Sequence, residues 1–248
     1  MKTVVVGASS GLGRSIAIGL GQGGASVALL ARRHDRLVDA AKEAGPGSLA
    51  IECDVTDASS CRSAIEEAAA GLGGIDALVY STGVGHLGRL VDADVEAWQR
   101  SFSTNVIGAA LVTAAAIPYL NASAGVAAYL SSVSASLTPP WPGLGVYATS
   151  KAALEKLVES WRAEHPTVGF TRVVVGDCAG GEGASMTEFI NNWDPALMME
   201  FHPVWEARSL LAGSLVEVEE LISVVDMVLR CGASASIPSV AVIPRAPA

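Results

Sequence analysis

Tyr147 and Lys151 stand four residues apart in Tyr147-Ala148-Thr149-Ser150-Lys151. On a helix that spacing puts both side chains on one face. An ammonium beside a phenol stabilises the phenolate and draws its pKa down from about 10. A phenol tuned in this way can give a proton to a carbonyl oxygen or take one from an alcohol. The pair alone is a weak signal, because Tyr-x-x-x-Lys arises by chance. Upstream lies Ser131-Ser132-Val133-Ser134, directly after an apolar run. A serine at the carboxyl end of a strand opens onto the ligand crevice of an open α/β sheet. Ser132 stands fifteen positions before Tyr147, and Ser134 thirteen.

A second cluster lies near the start of the chain. The run Gly7-Ala8-Ser9-Ser10-Gly11-Leu12-Gly13 follows four apolar-rich residues and precedes a helical pattern. Glycine here permits positive φ and removes the Cβ that would block a phosphate. The helix beyond offers the first-turn amides of Gly11, Leu12 and Gly13, and its positive dipole end, to a pyrophosphate. Ser9 and Ser10 add hydroxyl donors. Gly-rich turns are weak signals alone, but this one sits between a strand and a helix, where dinucleotide binding requires it. The next strand ends in Ala31-Arg32-Arg33. NAD-preferring folds often carry an acidic residue there, whereas an arginine accommodates the 2′-phosphate of NADP. NADP(H) is therefore favoured over NAD(H). Arg32 and Arg33 are the candidates for this work, with Arg14 as a further one; the rival reading is that Arg33 faces solvent and Arg32 acts alone.

These groups need a scaffold to hold them. The chain has 248 residues, 16 Lys+Arg against 25 Asp+Glu, and half its residues are hydrophobic. Its mean hydropathy of +0.42 raises the question of a membrane. The longest apolar run, 106–120, is shorter than the roughly 18 to 20 residues a span needs. The first apolar run stops at Gly7, unlike a secretory leader. No membrane partner is expected. The formal charge of −9 argues against nucleic acid, which demands a basic face. Cys53, Cys61, Cys178 and Cys231 form no C-x-x-C pair, and His34, His86, His165 and His202 do not cluster, so no metal site is indicated. Reduced thiols fit a cytoplasmic location.

Short β-rich runs alternate with helical ones. Strands are expected at 3–6, 26–31, 49–53, 76–80, 125–131, 168–175 and 239–243. Helices are expected at 12–20, 35–44, 58–70, 95–120, 146–164 and 216–231. The strands are continuous apolar runs, as in parallel sheets covered on both faces. Strand–helix alternation at this spacing means successive βαβ units. The expected fold is α/β: a single doubly wound, Rossmann-like domain over 1–248, with a mainly parallel sheet of about seven strands. Segment 106–120 is apolar around its whole circumference, so something beyond its own sheet must cover it. A homodimer or homotetramer is expected.

Taken together, these motifs resemble the short-chain dehydrogenase/reductase family over almost the whole chain. Gly7, Gly11 and Gly13 match its cofactor turn. In Cys53-Asp54-Val55, Asp54 matches an acidic residue that contacts adenine, with Val55 beside it. Asn105, in Asn105-Val106-Ile107-Gly108, matches the helical Asn. Ser132, Tyr147 and Lys151 match the catalytic trio. The resemblance implies NADP(H) across the carboxyl ends of the strands, with Tyr147 as general acid/base. It implies that Lys151 holds the nicotinamide ribose and lowers the Tyr pKa. Ser132 would bond the substrate oxygen, and Asn105 would hold a water relaying protons to Lys151.

The chain departs from that pattern in four places. Val6 replaces a Thr before the first Gly. Tyr80-Ser81-Thr82-Gly83 replaces Asn-Asn-Ala-Gly and keeps only Gly83. Gly176-Asp177-Cys178-Ala179-Gly180 replaces a Pro-Gly loop. The usual serine spacing selects Ser134, while the Ser-Ser doublet favours Ser132. The Pro139-Pro140-Trp141-Pro142 stretch can hold the difference as an insertion.

Segment 180–211 begins Gly180-Gly181-Glu182-Gly183 and then carries Met186, Phe189, Trp193, Met198, Met199, Phe201 and Trp205. Large apolar side chains after a Gly-rich hinge suggest a lid over an apolar pocket, with Trp141 adding to it. The substrate side is thus expected to hold Ser134, Trp141, Met186, Phe189 and Trp193. The expected function is an NADP(H)-dependent oxidoreductase on a hydrophobic ketone or secondary alcohol. A cofactor-binding regulator without turnover, and an isomerase or epimerase, are the alternatives.

Overall fold

A computed structural model describes residues 1–245, so 246–248 of the expected 1–248 domain lie outside the described residues. In chain order the elements are β1 (Lys2–Val6), α1 (Gly11–Gln22), β2 (Ser26–Ala31), α2 (His34–Ala44), β3 (Leu49–Glu52), α3 (Ala58–Leu72), β4 (Ala77–Tyr80), α4 (Val95–Phe102) and α5 (Gly108–Ser123). They continue with β5 (Val126–Ser132), α6 (Val133–Ser136), α7 (Gly145–Glu164), β6 (Gly169–Val175), α8 (Pro195–Ala207), α9 (Val218–Leu229) and β7 (Ser239–Val242). The seven strands form one sheet in the order β3-β2-β1-β4-β5-β6-β7, every pair parallel. The order reverses between β1 and β4, which is where such sheets open a ligand crevice.

The continuous apolar strands are buried on both faces, as their composition requires. Val4, Val5 and Val6 are fully buried, as are Ala77, Leu78, Val79 and Tyr80. Each such aliphatic side chain contributes about 1.5–3 kcal/mol by leaving water. Helices α3, α5 and α7 cover one face through Ile65, Val112 and Leu154. Helices α1, α2 and α9 cover the other through Ile16, Leu37 and Leu221. Local chemistry fixes the helix ends. The Asp57 carboxylate accepts from Ser59 N at 2.7 Å and Ser60 N at 3.1 Å to start α3. Gly73 closes that helix at φ +72°, a left-handed cap open to glycine.

Three elements differ from expectation, the first being the one-turn helix α6 after β5. Helix α8 inside 180–211 is started by Asp194, whose side chain accepts from Ala196 N, and by Pro195 in the first turn. The helical stretch beginning at Val95 runs on to Ser123 and is broken by a π-helical turn, Ser103–Ile107. By length and composition this 29-residue run could cross a membrane, so the shortness of 106–120 is no argument against it. One side of the run lies on the sheet: Ala109, Val112, Ala116 and Leu120 are fully buried there.

Candidate active site

The π turn is the first device that positions the site. A widened turn re-aims one carbonyl, and here the Tyr80 hydroxyl donates to Thr104 O at 2.5 Å. Gly108 follows, and a Cβ there would lie 2.7 Å from the Tyr80 oxygen and 2.9 Å from Val55 Cβ. Tyr80, a departure from the family pattern, thus serves as the anchor of this turn. The turn carries Asn105, which is fully buried. Its Nδ2 donates to Ser150 Oγ at 2.8 Å and to Val84 O at 2.9 Å, while Oδ1 accepts from Val84 N at 2.8 Å. Asn105 therefore ties the loop after β4 to α7. Ser81 adds a bond to that loop, donating to Val6 O at 2.5 Å.

Helix α7 presents Tyr147 and Lys151 toward the end of β5. Lys151 Nζ donates to Leu130 O at 2.8 Å. It lies 5.9 Å from the centroid of the Tyr147 ring. A Cβ on Gly83 would come within 3.2 Å of it, so a larger residue there would crowd the ammonium. Burial lowers the Lys151 pKa to about 8, against the pull of Glu155. Burial also pushes the Tyr147 phenol up to about 12, while Ser132 draws it down. The expected lowering of the Tyr pKa by Lys151 is thus not what the structure shows. The phenol loses more by desolvation than it gains, and the ammonium spends its bond on Leu130. Ser132 ends β5 and caps α6; its Oγ lies 2.9 Å from Ser134 Oγ. Both serines line the same cleft as Tyr147 and Lys151.

That cleft has a volume of about 1290 Å³ and runs along the carboxyl ends of the strands. Gly7, Ser9, Ser10, Gly11, Leu12, Gly13, Arg32, Arg33, Asp54, Val55 and Gly83 line it together with Ser132, Tyr147 and Lys151, while Asn105 lies buried behind it. Gly7 and Gly11 have φ of +90° and +56°. A Cβ on Gly13 would meet Gly7 O at 2.4 Å, so helix and turn touch backbone to backbone. Such a bare turn at a helix N-terminus is a cradle for a pyrophosphate, and the residues present fit a dinucleotide. Of the two arginines that line the cleft, Arg33 is the one bonded to the turn. Arg33 Nη2 donates to Ser9 Oγ at 2.9 Å and Ser10 Oγ at 2.7 Å, so Arg33 covers the turn and does not face away from it. Arg32 stays exposed near Asp54, whose carboxylate is lowered chiefly by bonds from Thr56. Arg14 is buried and outside the cleft, held by Glu43 and by Arg36 O.

Segment 180–211 folds over the cleft. Phe189, Trp193, Met198 and Trp205 line it, as do Trp141 and Leu144. The Phe189 ring meets Tyr147 edge-on at 4.8 Å, and Trp193 Nε1 donates to Gly85 O at 3.1 Å. Trp141, Phe201 and Trp205 form a small buried core of their own with Leu87 and Leu144. Met186 lies elsewhere: it is 57% exposed and borders a separate pocket beside Arg14 and Arg36. Met199 is exposed. The sequence pattern did not single out Glu188, Arg36, Ser150 or Glu155 as site residues. Glu155 sits buried behind the serines, accepting from Ser131 Oγ at 2.7 Å and Ser136 Oγ at 3.1 Å. Its spacing of four from Lys151 was the available signal.

The short chain dehydrogenase family model matches residues 2–194. A short chain dehydrogenase of Pseudocercospora fijiensis is 37% identical over 167 residues, 65% of this chain and 53% of that protein. The 11-beta-hydroxysteroid dehydrogenase A of Sesamum indicum is 33% identical over 179 residues, 70% of this chain and 51% of that protein. The chain spans about half the length of these two curated relatives. A short-chain type dehydrogenase/reductase structure from Mycobacterium marinum aligns at TM-score 0.81 and 26% identity, covering 97% of this chain and 92% of that one. With this sheet order and this match, the chain belongs to the short-chain dehydrogenase/reductase family of oxidoreductases.

Proposed function

We propose that the chain is an NADP(H)-dependent oxidoreductase interconverting a carbonyl and a secondary alcohol on a small apolar molecule. The observation that carries this reading is the convergence of Ser132, Tyr147 and Lys151 on the cleft that also contains the Gly7–Gly13 turn. When bound there, the nicotinamide cofactor supplies or accepts the hydride. The protein supplies the proton and the orientation. Tyr147 is protonated at neutral pH and positioned to give its proton to the developing alkoxide. Ser132 donates to the same oxygen, its own hydroxyl steadied by Ser134. Lys151 remains mostly charged at neutral pH, and its charge offsets the phenolate left behind.

Arg33 over Ser9 and Ser10 supports the preference for NADP(H). Phe189, Trp193 and Met198 support an apolar substrate under a closing segment. A homodimer or homotetramer is supported by Ile107, which is 51% exposed, and by Leu111, Ala115 and Tyr119, only partly buried on the outer side of the helix. Free thiols among the described residues support a reducing, cytoplasmic setting. The test is the loss of nicotinamide absorbance when NADPH meets a panel of ketones. Turnover of apolar ketones is expected. Tight NADPH binding with no turnover of any ketone would favour a cofactor-binding regulator instead.

A further inference from the structure

Glu188 belongs to the segment over the cleft, yet its carboxylate sits at the mouth of the first glycine turn. Oε2 accepts from Arg33 Nη1 at 2.6 Å and from Ser10 Oγ at 3.2 Å. Oε1 accepts from Arg36 Nη1 at 2.6 Å. Bonds from Arg36 and Arg33 hold the carboxyl down at about 2, so it is an anion at any ordinary pH. Two guanidinium forks and a hydroxyl converging on one anion are also the donor set that a phosphate monoester takes. Arg33, Arg36 and Glu188 are 42%, 45% and 34% exposed. Ion pairs this open to water are weak. A phosphate monoester brings more charge and a third oxygen to the same donors.

The next residue in the chain does something different. Phe189 packs edge-on against the Tyr147 ring at 4.8 Å and covers Gly85, where a Cβ would meet its ring at 2.3 Å. Consecutive Cα atoms are about 3.8 Å apart, so this backbone cannot shift far at one residue without shifting the other. Adjacent residues of one segment thus touch the arginines beside the glycine turn and the phenol of Tyr147.

We propose that Glu188 is an internal competitor for the cofactor's 2′-phosphate, and that its displacement from Arg33 and Arg36 draws Phe189 off Tyr147. This rests on the NADP(H) reading and adds to it a specificity determinant and an order of binding. The phosphorylated cofactor enters first and uncovers the phenol for the ketone. A cofactor with a free 2′-hydroxyl leaves Glu188 paired and Phe189 in place. Discrimination then acts in affinity and again in access to Tyr147.

The probes are adenosine 2′,5′-bisphosphate and 5′-AMP, which contain no nicotinamide. Titration calorimetry on the 248-residue chain and on Glu188→Gln gives the affinities. The bisphosphate should bind E188Q about tenfold more tightly, as expected when two partly exposed ion pairs no longer compete. The affinity for 5′-AMP should stay within about twofold. A 4-fluorophenylalanine at position 189 reports the ring contact by fluorine NMR. The bisphosphate should move that resonance and 5′-AMP should not. Equal bisphosphate affinity of the two proteins, or an equal response of the resonance to 5′-AMP, overturns the inference. Failure of the cofactor reading looks different: the wild type then binds both probes equally, and Arg33→Ala changes neither.

Discussion

Lys151 Nζ donates to the main-chain carbonyl of Leu130 at 2.8 Å, which bonds the helix of the phenol to the strand that ends in the serines. Lys151 is 4% exposed, and this carbonyl and Glu155 are what offset its charge. One consequence is thermodynamic. The folded pKa, about 8, lies below the ordinary 10.5. Between those values the unfolded chain holds more protons, so stability rises with pH across that window. Below it the buried charge costs on the order of 3 kcal/mol. Tyr147 is shifted upward and opposes this only above about pH 10. The stability of Lys151→Met relative to wild type, followed by urea denaturation, should therefore be nearly flat below about pH 8 and fall from there toward about pH 10. A difference that stays flat with pH contradicts a buried, charged Lys151.

Arg33 forms the bonds over the glycine turn, and Arg32 does not. If Arg33 holds the 2′-phosphate as proposed, Arg33→Ala should weaken NADPH binding by about tenfold or more and leave NADH within about twofold. Arg32→Ala should have the smaller effect. Fluorescence titration with both cofactors checks this. An Arg32→Ala loss larger than the Arg33→Ala loss would restore the rival reading in which Arg32 acts alone.

Trp193 lines the cleft and is tied to Gly85 O, whereas Met199, on the same segment, is 80% exposed. Trp193→Ala should raise the KM for apolar ketones by about fivefold or more, the order expected for losing part of an apolar contact. Met199→Ala should leave KM unchanged. Equal KM values for the two variants would remove Trp193 from the substrate pocket.

Ile107 ends the π turn on its exposed side, with Leu111, Ala115 and Tyr119 continuing the same apolar face. A charge at this position should be tolerated by the monomer and repelled by a partner subunit. Ile107→Arg should lower the sedimenting mass at micromolar concentration without changing far-UV dichroism. An unchanged mass would place any subunit contact elsewhere.

The sequence exposed most of the fold, because its signals are local. Continuous apolar strands and the Gly7–Gly13 turn report buried parallel strands and positive φ directly. Every expected strand and helix lies within two residues of its observed bounds, except the long run broken at Ser103–Ile107. A π turn has no compositional mark, and this one is held by Tyr80 from another element. Arg32 and Arg33 both line the cleft, but that Arg33 is the one bonded to Ser9 and Ser10 is not written in residue type. Glu188 was invisible for another reason: its partner Arg33 lies 155 residues away, and nothing in the intervening pattern joins them. The Tyr147–Lys151 spacing did place both on one helix face, but not the desolvation that governs the phenol.

The proton transfer assigned to Tyr147 is tested most directly by single-turnover oxidation of bound NADPH by an apolar ketone, in wild type and in Tyr147→Phe. The variant keeps the ring against Phe189 and removes only the hydroxyl. The rate of the chemical step is expected to fall by about 10²–10⁴-fold while the affinity for NADPH stays near wild type. A Tyr147→Phe enzyme that oxidises bound NADPH at the wild-type rate would contradict the account.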